Sequence, residues 1–352
     1  MPDNFKPGFT ATGIGTLPHR DPQAAVSDVL TRLDEMPYWP QLPQRDPAED
    51  MTPQYAPALE PLVSATPGTR QVKVFGGLGR EEALAAFYER LLGGSLESFD
   101  LQPAMAAGYF AFLEALSQAP AGAFPWLKGH VTGPITMGLG LAGLDEKALL
   151  YDDEVAEAIA RGLGAAAAAQ ARRLGATGRP VMIFFDEPGL SGFGSAFTPI
   201  SRERVLALLG AAFEEARGRA DMVIGVHCCG NTDWSLLVDA GADVLNLDSE
   251  GYSRHLLLYP ESVRTLLERG GAVAWGAVPT AEYKGNETAK GLWAGLHELL
   301  RALEEKGLPH DLLASQALVS PACGMGTLTE DQARAILDLT VQVSALAREL
   351  YV

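Results

Sequence analysis

Eight short apolar runs recur along this chain, and nearly every one is followed by a longer segment with helical periodicity. That alternation constrains the fold more than any other feature, because parallel strands need a crossover between them and a helix usually supplies it. The runs are Phe9–Ile14, Tyr38–Leu42, Trp126–Val131, Val181–Phe185, Met222–Cys228, Val244–Leu247, Ala272–Ala277 and Ala317–Val319. The periodic segments are 21–33, 101–117, 147–174, 201–217, 234–239, 260–269, 288–305 and 329–350. Several open on cap residues, such as Ser201 ahead of Glu203, or Thr329-Glu330-Asp331. About eight strand–helix units fit an α/β fold of the single (β/α)8 TIM-barrel type. An open doubly wound sheet is the other arrangement, but no Gly-x-Gly-x-x-Gly turn follows the first run. One barrel over residues 1–352 is the expected organisation.

The polar signatures fall just after the apolar runs. Gly15-Thr16-Leu17-Pro18-His19 follows the first, Thr132-Gly133-Pro134 the third and Asp186-Glu187-Pro188 the fourth. His227-x-Cys229 ends the fifth, Asp248 the sixth, and Cys323 follows the eighth. In a barrel these positions converge on one rim, where active sites of this fold lie.

All three cysteines sit in two of these segments, 226–234 and 320–327. Side chains at i and i+2 of a strand leave the same face, so His227 and Cys229 can point together while Cys228 points away. With Cys323 they make one imidazole and two thiolates, a set that suits zinc in a site keeping one position open. Asp248, or Glu250 if the strand continues, could complete the metal shell; a solvated carboxylate is the other reading of both. Isolated cysteines also serve as small buried hydrophobes, and a disulfide is a further reading. Three cysteines cannot all pair internally, however, and Met1 to Lys6 leads into polar sequence without a signal-peptide pattern. A reducing, cytoplasmic setting is expected.

Asp186 and Glu187 precede a proline and can cap a helix or face solvent. The functional reading makes Asp186 an anionic anchor for a cationic ligand group. Gly15, Gly133 and Gly324 would allow close backbone approach, although glycines also serve plain turns. His19 and His130 lie near strand ends and read either as structural or as proton-transfer groups. His255, His297 and His310 receive no role. The formal charge of −17 argues against nucleic acid and against an anionic membrane surface. No apolar stretch is long enough to span a bilayer. The run Ala165 to Ala169 favours helix.

The ordered set of motifs resembles the C-terminal catalytic barrel of cobalamin-independent methionine synthase, within the uroporphyrinogen decarboxylase/methionine synthase-like group. The resemblance runs from Ile14-Gly15-Thr16-Leu17-Pro18 through Lys128-Gly129-His130-Val131-Thr132-Gly133-Pro134-Ile135-Thr136 and Phe185-Asp186-Glu187-Pro188. It continues through His227-Cys228-Cys229, Asp243 to Asp248 and Pro321-Ala322-Cys323-Gly324. It implies that His227, Cys229 and Cys323 bind Zn2+, with Asp248 where the family has a glutamate ligand. It also implies that Asp186 holds the amino group of homocysteine and that Ile14 and Thr16 meet its carboxylate. A family glutamate near the amino-acid site aligns around Met51–Tyr55, where Gln54 can stand in its place.

Two departures bear on the methyl donor. The full-length folate-using enzymes have a second, N-terminal barrel that has no counterpart here. They also carry a catalytic histidine after the seventh strand, where this chain reads Trp275-Gly276-Ala277-Val278-Pro279-Thr280; no catalytic residue is assigned. The expectation is a zinc-dependent methyltransferase forming methionine from homocysteine, with a methylcorrinoid donor presented by a corrinoid partner protein. The alternatives are a corrinoid-dependent enzyme acting on another thiol such as coenzyme M, and a non-catalytic zinc-binding relative. Porphyrinogen decarboxylation explains neither cysteine segment.

Overall fold

A computed structural model describes residues 5–66, 68–120, 122–195 and 198–352. The start of the chain that bears on a leader sequence, residues 1–4, lies outside them. The strands are β1 Thr10–Ala11, β2 Val63–Ala65, β3 Val72–Val74, β4 Leu127–Thr132, β5 Val181–Asp186, β6 Val223–Cys228, β7 Val244–Asp248, β8 Ala272–Val278 and β9 Ala317–Pro321. Seven of them form one parallel sheet in the order β1-β9-β8-β7-β6-β5-β4. β2 and β3 make a separate antiparallel pair that the sequence reading did not anticipate.

The architecture is α/β and TIM-like, but the expected closed ring of eight strands is corrected. The run Tyr38–Leu42 is no regular strand. It makes single parallel bridges to both sheet edges, Tyr38 to Lys128 of β4 and Gln41 to Thr16 beyond β1. Pro40 interrupts it and Pro37 and Pro43 flank it, and a proline has no N–H for a ladder. The first expected strand is likewise shortened to Thr10–Ala11.

Helices cover the outer face. All eight expected helices appear, as 22–32, 107–118, 153–175, 202–217, 234–239, 260–268, 289–305 and 330–351, the second and third starting six residues later than expected. The helix 330–351 opens on the capping box of Thr329 and Gln332. Helix Arg80–Gly93 was not expected, although Ala83, Leu84, Phe87 and Leu91 give it an apolar face at helical spacing. The inside of the curled sheet is plugged by Met182, Phe184, Val223, Val244, Ala272, Ala274 and Leu318, with Phe5 and Met36 below. Above that floor, the C-terminal ends of the strands carry the polar residues of the site, while Lys128 near the start of β4 lies buried against Phe184.

Candidate active site

β6 delivers His227 and, one residue past its end, Cys229. The loop after β9 delivers Cys323. One ligand atom from each lies within 4.8 Å of the others, and among the described residues no other group of three or more His, Cys, Asp or Glu side chains is so arranged. Cys228 turns away as the strand alternation requires: it is buried in the core, and its thiol points to the carbonyl of Gly230 at 3.6 Å.

The imidazole of His227 is oriented by a residue that sequence reasoning passed over. Asn246, in the middle of β7, spends its amide N–H groups on the carbonyl of Ala274 and the hydroxyl of Ser320. Its Oδ1 must then accept, and His227 Nδ1 donates to it at 2.6 Å. That network leaves Nε2 as the lone-pair nitrogen. Nε2 is buried and has no hydrogen-bond partner among the described residues. A buried acceptor without a partner, beside two sulfurs, is the arrangement a soft cation such as zinc would complete.

The charges are strongly coupled. The thiol of Cys323 hydrogen-bonds Cys229 and, with the nearby His227, draws Cys229 well below the ordinary thiol range. Cys323 itself moves up, because it keeps the shared proton and is buried. Burial works against charging His227, but Cys229 and Asp186 outweigh it and raise its pKa. Asp186 is raised to about 6 by burial, with His227 and Lys128 opposing.

A cavity of about 310 Å³ opens on the cluster. Ile14, Thr16 and Asp186 line it together with His227, Cys229 and Cys323, so the structure brings the expected substrate residues and the Cys/His set to one place. Asp186 Oδ1 is buried there without a partner. The Thr16 hydroxyl donates to Gln41 Oε1, Gln41 Nε2 to Gln54 Oε1, and Gln54 Nε2 to the carbonyl of Met105. Gln54 is therefore buried behind the wall and steadies Gln41, which does line the cavity. Gly15 lets the strand end lie against His130: a Cβ there would come within 2.6 Å of the imidazole. His130 stacks on Trp39 at 3.8 Å, and burial pushes its pKa well down.

Other expected residues fall elsewhere. Asp248 is not brought into the cluster. It ends β7 at a turn, where its Oδ1 accepts from the backbone N–H groups of Glu250 and Gly251 at 2.9 Å each. Glu250 is exposed and also outside the cluster. Both line a second cavity that reaches the same cysteines. Glu187 points away from the cavity and caps the helix 134–140. His19 is held by Asp28 at 2.8 Å, a structural contact.

Among the described residues no helix is long and apolar enough to cross a membrane. Residues 105–346 match the family model described as the catalytic domain of cobalamin-independent synthase. No curated protein matches the sequence. Among solved structures, a B12-independent methionine synthase from Shewanella sp. W3-18-1, in complex with selenomethionine, is 20% identical. The match covers 68% of this chain and 67% of that one, with a TM-score of 0.46. A putative vitamin-B12 independent methionine synthase from Listeria monocytogenes is 19% identical, covering 66% and 68%, with a TM-score of 0.44. The matched family is cobalamin-independent by its description, which overturns the expected methylcorrinoid donor and corrinoid partner protein. That expectation rested on a missing barrel, a missing histidine and the chain's acidic charge.

Proposed function

The chain belongs to the family of cobalamin-independent synthase catalytic domains, and from that premise we propose that it transfers a methyl group to the thiol of homocysteine, forming methionine. Zinc would be held by His227, Cys229 and Cys323. The observation that carries the reading is the placement of the three ligand atoms on the wall that also presents Ile14, Thr16 and Asp186.

A free thiol, with a pKa near 8.5, is mostly protonated at neutral pH; a bound zinc would keep the acceptor sulfur as a thiolate. The chain's own residues supply the rest. Asp186 takes the ammonium of the amino acid, and its unpartnered Oδ1 is free to do so. The Ile14–Thr16 segment meets the carboxylate through its backbone, because the Thr16 hydroxyl spends its one proton on Gln41 Oε1 and, with Gln41 and Gln54, holds the segment in place. Two such anchors leave the sulfur one direction to point, which is the entropic part of catalysis.

The test is homocysteine binding to the zinc-loaded protein, with product identified by mass. Asp186→Asn should weaken homocysteine by roughly 2–5 kcal/mol, the cost of breaking a desolvated charge pair. A thiol without the amino group should lose nothing. Equal affinity of the unaltered protein for both thiols would reject the amino-acid reading. A non-catalytic zinc-binding protein is the second reading, favoured by the strand end Val278-Pro279-Thr280, which brings no histidine. Tight homocysteine binding without turnover of any donor would select it.

A further inference from the structure

His130 stands between the two wall segments that would hold the amino and carboxylate groups of homocysteine. On one side its Nδ1 lies 4.0 Å from Asp186 Oδ2. On the other, its Nε2 edge faces Gly15, where an added Cβ would come within 2.6 Å of Nε2 and Cδ2. The residue is 1 % exposed and stands behind the cavity wall.

Several contacts fix it there. Trp39 stacks on the ring, with centroids 3.8 Å apart. The backbone carbonyl of His130 accepts from the Tyr55 hydroxyl at 2.5 Å and from Gln170 Nε2 at 3.0 Å. Gln170 Oε1 in turn accepts from Trp39 Nε1 at 3.0 Å, so the strand and the stacked indole are tied to one another.

The ring has one proton to place. Burial and the charge of Lys128 hold it neutral, against a smaller pull from the backbone of Trp39. One nitrogen therefore carries N–H and the other a lone pair. Nε2 is buried without a hydrogen-bond partner among the described residues. A bare N–H there would be the costlier orphan, which places the proton on Nδ1, on the side of Asp186. A separation of 4.0 Å is too long for a hydrogen bond. The carboxylate torsion of aspartate is soft, however, and contacts of this kind tighten when a substrate is bound. An ammonium drawn to the unpartnered Oδ1 of Asp186 can turn Oδ2 towards the imidazole.

We propose that His130 is a positioning residue for the acceptor: its Nδ1–H holds Asp186 Oδ2, so that Oδ1 meets the ammonium at a fixed place relative to the Ile14–Thr16 backbone. The proposal rests on the reading of the cavity as a homocysteine site. A carboxylate already held at one oxygen loses less freedom when the other takes the ammonium. Selectivity for an α-amino acid over a plain thiol acid follows, although His130 touches neither.

The experiment titrates zinc-loaded protein calorimetrically with L-homocysteine and with γ-mercaptobutyrate, the same thiol acid without the amino group. The unaltered protein is compared with His130→Leu and His130→Asn. Asparagine puts an amide nitrogen where Nδ1 stands, whereas leucine has nearly the same outline and no donor. His130→Leu should weaken homocysteine roughly tenfold, equivalent to about 1.4 kcal/mol, and leave zinc content and γ-mercaptobutyrate affinity unchanged. His130→Asn should recover most of that loss. If leucine prevents folding, His130→Gln replaces it, since its nitrogen reaches the Nε2 position instead, and the same loss is expected. Undiminished preference for homocysteine in the leucine or glutamine variant overturns the proposal and leaves the homocysteine site standing. Equal losses for both thiols, or an asparagine variant no better than the leucine one, overturn it as well, because His130 would then only support the wall. Equal affinity of the unaltered protein for both thiols overturns both readings.

Discussion

The ammonium of Lys128 lies 2.5 Å from the carbonyl oxygen of Ile14, wholly buried beneath the cavity that receives the proposed substrate. The same Nζ sits 4.3 Å above the ring of Phe184. A buried cation thus ties β4 to the segment following β1 on which Thr16 stands, across the gap where no regular eighth strand forms. Burial lowers the pKa of Lys128 to about 8, against the pull of Asp186.

That shift has a signed consequence for stability. The folded-state pKa lies below the unfolded value of about 10.4, so between those pH values the unfolded chain binds more protons. Stability therefore gains from this residue as pH rises from 8 towards 10, by at most about 1.4 kcal/mol per unit. Lys128→Met should remove that gain. Urea unfolding of both proteins between pH 7 and 9.5 should give curves that converge in slope below pH 8 and separate above it. Parallel curves throughout would assign no such cost to the buried ammonium.

Metal content should follow the geometry of the three cysteines. The unaltered protein should bind about one zinc per chain, in keeping with a three-ligand site. Cys229→Ser and Cys323→Ser should lose most of it, and Cys228→Ser should keep it, since that sulfur faces the core. Elemental analysis after dialysis decides the matter, and full zinc in either of the first two variants would dismantle the site.

Asn246 should matter for zinc although it touches none. Its Oδ1 selects the tautomer of His227 that leaves Nε2 free. Outer partners of this kind typically hold 10–100-fold in metal affinity. Asn246→Leu should show a loss of about that size in competition with a chelator, while Asn246→Asp, which can still accept from Nδ1, should recover part of it. Unchanged affinity in the leucine variant would mean that the imidazole is held by packing alone.

The difference between Cys229 and Asn246 also shows what the sequence could disclose. His227 and Cys229 were legible because strand alternation alone puts them on one face, and Cys323 because it follows another strand at the same rim. Asn246 reads as one more residue of a buried strand; only its three hydrogen bonds reveal the task. The one available signal was a polar side chain inside an apolar run, which must find partners. Asp248 misled for the opposite reason: an acidic residue at a strand end looks like a ligand, but the turn that follows claims its carboxylate. Pro37 and Pro40 were visible too, and they carry the reason that the expected second strand is reduced to bridges.

Glu187 gives the last prediction, one of stability. Gly133 precedes the helix 134–140 without a side chain to cap it, and Pro134 has no N–H. The carboxylate of Glu187 takes over, accepting from Ile135 N at 2.9 Å, Thr136 N at 2.8 Å and the Thr136 hydroxyl at 2.6 Å. Burial raises its pKa to about 7, with these donors opposing, and no cation among the described residues balances it, so the helix N-terminus supplies the compensating field. Glu187→Ala strands one buried and two part-buried donors and should cost about 2–4 kcal/mol. Gly133→Ala should destabilise through the same contact, because a Cβ there would come within 2.1 Å of the Glu187 carboxyl carbon. The two losses share one interaction, so the double variant should be more stable than their sum predicts. Additive losses in chemical denaturation would show instead that the glycine and the carboxylate act independently.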